Sequence, residues 1–229
     1  KPLILYVAEL TAEALGSANT YVATDDRRIA DVVERAGFQT AITSSLAATG
    51  TDRVWEAAQR VPADIYVNVQ GDEPLIDPLD IRRVLEEKMR RVHGVVNGMC
   101  RIGEAEDPGN VNIPKVVTTE DRRMVYMSRL AIPGYKAPER RPRHYWKQVC
   151  IYAFTYEELK AFGTFGRKGE LESHEDIEVL RFLELSIPVY MVETGGASLS
   201  VDVPEDVVAV ESALRKCLSE GPPSNRECQ

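Results

Sequence analysis

Ile65-Tyr66-Val67-Asn68-Val69-Gln70-Gly71-Asp72-Glu73-Pro74 is the stretch on which the fold turns. An apolar, β-branched run stops at a glycine and two acids, the way a buried parallel strand delivers carboxylates to the end of a sheet. Open α/β sheets bind their ligands beyond such strand ends. Gly71 permits a turn or the close approach of a ligand, Asp72 and Glu73 offer hard oxygens to a cation, and Pro74 stops the strand. Taken alone, the segment reads equally well as an ordinary acidic turn.

Upstream, Leu3, Ile4, Val7, Leu10, Ala14 and Leu15 recur at helical spacing before Gly16, so the pattern predicts a helix over 3–15. Residues 20–23 read as a strand ending in Thr24-Asp25-Asp26, 27–36 as a helix closed by Gly37, and 38–43 as a strand. A small-residue loop over 44–50 leads to a helix over 51–60. Strand and helix alternating in this way build a parallel, doubly wound sheet through right-handed crossovers. Downstream, 79–92 is an amphipathic helix and 94–101 a strand; from Asn112 the texture turns to hairpin pieces at 115–117, 124–126 and 147–154, an antiparallel insertion over about 112–154. Residues 171–185 read as one helix, 189–192 as a strand, and the chain after Pro204 as a C-terminal helix with a frayed tail from Gly221.

The 229 residues suit a single α/β domain, and a formal net charge of -8 argues against a nucleic-acid or anionic-membrane binder. Cys100, Cys150, Cys217 and Cys228 are scattered, with no pair spaced for zinc or redox work, which points to a reducing compartment. With no bilayer-length apolar run and no charged-then-apolar leader, the expected location is the cytoplasm. His93, His144 and His174 stand apart, and neither a Walker loop nor a Gly-x-Ser-x-Gly elbow is present. Arg140-Arg141-Pro142-Arg143-His144 reads as a solvated linker. The chemistry therefore rests on loop carboxylates. Asp202, in Val201-Asp202-Val203-Pro204-Glu205-Asp206, stands at a strand-to-turn step as Asp72 does, and the two could share one Mg²⁺. Glu205 and Asp206 are better read as acids at a helix N-terminus.

Val22-Ala23-Thr24-Asp25, Gly50-Thr51-Asp52-Arg53, Val67-Asn68-Val69-Gln70-Gly71-Asp72-Glu73-Pro74, Ser128-Arg129 with Ile132-Pro133, Leu171-Glu172, and Val201-Asp202 with Pro204-Glu205-Asp206 follow one another in the order of a known set of signatures. By these motifs the chain resembles the CMP-Kdo synthetases, the 3-deoxy-manno-octulosonate cytidylyltransferases, from Lys1 to about Leu214. The resemblance implies a Rossmann-like nucleotidyltransferase fold, with a mostly parallel central sheet and an antiparallel insertion that forms a homodimer. It implies CTP as donor, attack of an acceptor oxygen on its α-phosphorus, and Mg²⁺ held by Asp72 and Asp202 as the catalytic pair. It places Gly50, Thr51, Arg53 and Gln70 beside the nucleotide, and Lys115, Arg129, Lys147, Gln148, Tyr152 and Glu178 on the acceptor side. The family opens with a strand and a phosphate-binding loop ahead of the position of Lys1, so roughly 20 or more preceding residues are expected in the natural protein.

Three departures from the family pattern concern the acceptor. Where the family has a histidine in Arg/Lys-His-x-Gly-Ile-Tyr, the chain reads Lys147-Gln148-Val149-Cys150-Ile151-Tyr152; where it has Leu-Glu-Gln-Leu-Arg, the chain reads Ile177-Glu178-Val179-Leu180-Arg181. Ser44, Leu46 and Ala47 replace a more polar loop pattern. Losing a His and a Gln strips hydrogen bonds from an eight-carbon polyhydroxy acid, at about 1–3 kcal/mol for each unpaired group. Lys115, Arg129 and Lys147 remain to hold an anion. The expectation is an acceptor such as phosphonoformate, with Kdo as the alternative and a non-catalytic nucleotide-binding relative as the competing class. Of Lys147 and Gln148, adjacent on a strand, only one can face the acceptor.

Overall fold

The computed structural model describes residues 1–104, 106–195, 199–201, 203–204 and 206–220. Asp202, Glu205 and the tail from Gly221, with Cys228, lie outside the described residues. Helix α1 (Leu3–Leu15) precedes β1 (Tyr21–Thr24), α2 (Arg27–Arg35), β2 (Gln39–Ile42), α3 (Gly50–Ala58), β3 (Tyr66–Val69), α4 (Pro78–Arg90) and β4 (Val95–Arg101). This is the α/β alternation read from the sequence, with ends shifted by a residue or two. Side-chain caps set the helix starts: Asp26 accepts from Arg28 N, Thr49 from Asp52 N and Asp77 from Leu79 N.

The second half adds β5 (Lys115–Thr118), β6 (Met124–Ser128), β7 (Trp146–Phe154), α5 (Tyr156–Thr164), α6 (Glu170–Glu175), α7 (Leu180–Glu184), β8 (Val189–Glu193) and α8 (Asp206–Glu220). The fold is Rossmann-like. Strands β1 and β2 pair in parallel, β4 and β8 pair in parallel, and β3 shares the direction of β4 because both run against β7. Strand β7 is the hub. On one side it pairs with β4 along its length; on the other, residues 151–154 pair with β3 and residues 146–147 with β5. The β3 end and the β5 start thus leave β7 at a fork around 148–150. The β5–β6 hairpin curls back, so that Arg123 bridges Tyr190 and Met191 N donates to Arg122 O at 2.8 Å.

Alternation along β7 divides the core into two layers. Tyr152 and Phe154 join Met99, Phe162, Val179 and Phe182 on one face, while Val149, Ile151 and Ala153 join Ile76, Ile81 and Val84 on the other. The ring centroids of Phe154 and Phe182 lie 5.6 Å apart and those of Phe162 and Phe182 4.9 Å, each wholly buried ring contributing about 1.5–3 kcal/mol. A buried ion pair ties the layers: Lys88 Nζ donates to both Glu158 oxygens (2.8 and 2.7 Å) and to Gly94 O (2.7 Å). Burial lowers the Lys88 pKa, against the pull of Glu158.

The single helix expected over 171–185 is interrupted. Asp176 takes a left-handed conformation (φ 49°, ψ 49°) at the end of α6, and α7 does not begin until Leu180. Arg129 causes the stop, because its guanidinium donates to the last carbonyls, Glu175 O and Asp176 O, in the manner of a basic C-cap. Residues 177–179 are thereby released from the helix. Glu178 sits in that break.

Candidate active site

Glu178 gathers the elements that the sequence associates with a nucleotide. Its Oε2 accepts from Thr51 N at 3.0 Å and its Oε1 from Gln70 Nε2 at 3.3 Å. Thr51 lies in the first turn of α3, where the positive dipole end favours an anion and the Glu178 carboxyl takes the Thr51 N–H. Burial pushes the Glu178 carboxyl pKa up, opposed by the Thr51 N–H and the Thr49 and Thr51 hydroxyls. A Cβ built on Gly50 would stand 3.7 Å from Glu178 Oε2 and 3.8 Å from Asn68 Nδ2, so Gly50 faces the same cluster. The structure brings Gly50, Thr51, Gln70 and Glu178 together at the C-terminal end of β3.

Arg53 stands one turn further along α3, and its charge is committed: Nη1 lies 3.0 Å from Asp25 Oδ1 and donates to Thr43 Oγ1 at 2.6 Å. It ties the chain just after β1 and β2 to α3. Asp52 is held by Arg181, whose wholly buried guanidinium reaches Asp52 Oδ1 (2.8 Å) and Glu172 Oε1 (2.6 Å) and stacks 3.7 Å from the Phe162 ring. This network locks α3 against α6 and α7. Sequence reading missed Arg181, although an arginine inside an apolar helical run signals a buried partner.

At the β3 turn, the neighbour that crowds Gly71 is Ile4, whose Cδ1 would lie 3.0 Å from a Cβ there. Asp72 O accepts from Val201 N at 2.9 Å, so the chain entering residue 202 abuts the Asp72 turn, with Asp202 itself outside the described residues. Glu73 turns inward, and its Oε1 accepts from Cys150 N at 3.3 Å. Burial, then the Glu73 and Asp72 carboxylates, push the Cys150 thiol pKa well up, as suits a core thiol. Among the described residues no three His, Cys, Asp or Glu side chains converge as a metal cage. Mg²⁺ at nucleotide sites typically takes one or two carboxylates plus phosphate oxygens, and the hard oxygens at this turn fit that chemistry.

The acceptor-side residues divide. Tyr152 is buried beside Cys150, and burial, then Cys150 and Glu178, raise its hydroxyl pKa well above the ordinary value. Gln148 lies at the fork, with Nε2 donating to Asn97 Oδ1 at 3.0 Å. Gln148, Cys150 and Tyr152 share the β7 face of Met99, on which Tyr152 feels the Glu178 charge, whereas Lys147 falls on the other face, beside Cys100 and ion-paired with Glu106. Lys115 is wholly buried and donates to the carbonyls of Asn110 and Arg129. Arg129 donates to the last carbonyls of α6 and also to Val111 O at 3.0 Å. Val179 packs in the core at 1% exposure.

The cytidylyltransferase family model matches residues 1–188. The chain is 40% identical to the 3-deoxy-manno-octulosonate cytidylyltransferase of Koribacter versatilis over 198 residues, 86% of this chain and 74% of that one. It is 35% identical to the 8-amino-3,8-dideoxy-manno-octulosonate cytidylyltransferase of Shewanella amazonensis over 225 residues, 94% of this chain and 89% of that one. A CMP:2-keto-3-deoxy-manno-octonic acid synthetase solved in complex with CTP superposes with a TM-score of 0.86 at 31% identity, covering 94% of this chain and 88% of the other. An inositol-1-phosphate CTP transferase from T. maritima, 15% identical, shares the fold at a TM-score of 0.66 over 97% of this chain and 85% of its own.

A Rossmann-like sheet with its polar cluster at the strand ends, in this company, defines a nucleotidyltransferase. Within that class the particulars follow from the sequence relatives. The chain belongs to the cytidylyltransferase family and, within it, to the CMP-Kdo synthetases.

Proposed function

We propose that the enzyme transfers CMP from CTP to an eight-carbon 3-deoxy sugar acid of the Kdo type, releasing pyrophosphate. The acceptor hydroxyl gives up its proton to solvent as its oxygen forms a bond to the α-phosphorus, the bond from that phosphorus to the bridging oxygen breaks, and the electron pair leaves on pyrophosphate. The reading is carried by the 0.86 TM-score correspondence with a synthetase complexed with CTP. The strand-end cluster of Gly50, Thr51, Gln70 and Glu178 supports it. Glu178 braces the α3 N-terminus and Gln70 at the strand end, where open α/β sheets bind their ligands, and the Gln148–Tyr152 face of β7 suits the acceptor.

Asp72 and Asp202 would hold Mg²⁺, which would neutralise charge on the phosphate oxygens. The chain's own contribution is alignment: Glu178 fixes the α3 N-terminus against Gln70, and Arg181 fixes α3 against α6. The phosphonate expectation finds no support, since the basic residues assigned to it are engaged with main-chain carbonyls or with Glu106. A cytoplasmic location and a homodimer belong to the same proposal. Pyrophosphate release with CTP, Mg²⁺ and Kdo, 8-amino-3,8-dideoxy-manno-octulosonate or phosphonoformate tests it: one of the sugar acids turns over, and Asp72→Asn abolishes turnover while the fold stays intact. Turnover of phosphonoformate alone refutes the acceptor, and full activity of Asp72→Asn refutes the metal assignment.

A further inference from the structure

Resting on that reading, we propose that Asn97 is the positioning residue of the acceptor side: it holds a bulge in β7 and turns Gln148 so that Oε1 meets a hydrogen-bond donor on the acceptor. The β4–β7 ladder slips here, since Asn97 pairs with Tyr152 and the next residue, Gly98, pairs with Val149, leaving Cys150 and Ile151 without a β4 partner. A Cβ on Gly98 would press on Val149 Cβ and Thr194 Cγ2, both at 3.3 Å, so the bulge is tightly seated. Asn97, wholly buried, fills the slip. Its Nδ2 donates to Val149 O and to Ile151 O, each at 2.9 Å, and its Oδ1 accepts from Gln148 Nε2 at 3.0 Å.

An amide with both hydrogens committed to carbonyls cannot flip, so what it turns toward Gln148 is an acceptor. Gln148 must answer with its NH₂ group. Its Oε1 is therefore directed away from Asn97, while Gln148 N donates to Pro114 O at 3.0 Å and pins the backbone at the fork. An oxygen held in this way pairs with a ligand that donates, a sugar hydroxyl or an ammonium. A deprotonated phosphonate has no hydrogen to offer.

Steady-state kinetics on Asn97→Ala, Gln148→Ala and the double variant, with CTP and the sugar acid that the wild type turns over, test the proposal. Each single variant should raise the acceptor KM about tenfold, the loss of one oriented hydrogen bond, with the CTP KM unchanged. The double variant should match the singles, because both act through one contact. Should Asn97→Ala fail to fold, Asn97→Ser, which keeps a hydroxyl for one bulge carbonyl, takes its place with the same expectation. An unchanged acceptor KM in the Asn97 or the Gln148 variant, an equal rise in both KM values, or single effects that multiply in the double variant overturns the proposal and leaves the sugar-acid reading standing. A wild type that turns over phosphonoformate alone, or none of the three acceptors, overturns both.

Discussion

Glu178 shows how one side chain can brace a candidate site. Its carboxylate takes the Thr51 N–H and the Gln70 amide, so Glu178→Ala leaves one buried and one half-buried donor unpaired and should cost about 1–3 kcal/mol in urea unfolding. Glu178→Gln, whose amide oxygen still accepts, should cost less. The pH dependence has a definite sign: burial raises the folded carboxyl pKa above its ordinary 4.5, so the contribution is fully present below that value and is lost as pH rises through the folded one. The glutamine variant should lack this decline; a wild-type stability rising with pH over that window contradicts the assignment. Gly50, Thr51, Gln70 and Glu178, which the structure clusters, were legible in the motifs as candidate site residues. The engagement of Lys115 and Arg129 was not, because a basic residue after a strand reads alike whether it meets an anion or a carbonyl. Asn97 carried a signal that went unused, a polar residue beside glycine in the apolar run Val95-Val96-Asn97-Gly98-Met99, which marks a bulge.

Among the elements, boundaries followed periodicity where apolar spacing was regular, as in α1, and failed where tertiary contacts decided them. The helical run over 171–185 has no proline to announce its break; the stop comes from Arg129, more than 40 residues away in the chain. Helix α5 went unread, although Thr155 and Glu158 form a capping box at its start. Glu158 there has a second role as partner of Lys88. Lys88→Ala strands a buried carboxylate and should cost about 3–5 kcal/mol, whereas replacing both residues with apolar ones of similar volume should recover most of it. Equal losses in the single and double variants, measured by chemical denaturation, would show that packing and not charge holds this joint.

At the scale of the molecule, the α/β class was legible because β1, β2 and β3 alternate with helices, but the central place of β7 was not. Residues 147–154 look like one more hairpin strand, and only the pairing shows that β7 joins β3 and β4 to the insertion. That insertion exposes Val125 at 55% and Leu130 at 70%, and β6 is an edge strand, which favours a second copy as partner. Sedimentation at micromolar concentration should give a dimer, and Leu130→Glu should shift it toward monomer. A purely monomeric wild type contradicts that expectation. Cytidylyl transfer to a Kdo-type acid is tested most directly by ³¹P NMR of CTP, Mg²⁺ and the sugar acid with the purified enzyme. A new phosphodiester resonance should grow in step with pyrophosphate; CTP unchanged after prolonged incubation, or pyrophosphate formed with no CMP conjugate, would contradict that activity.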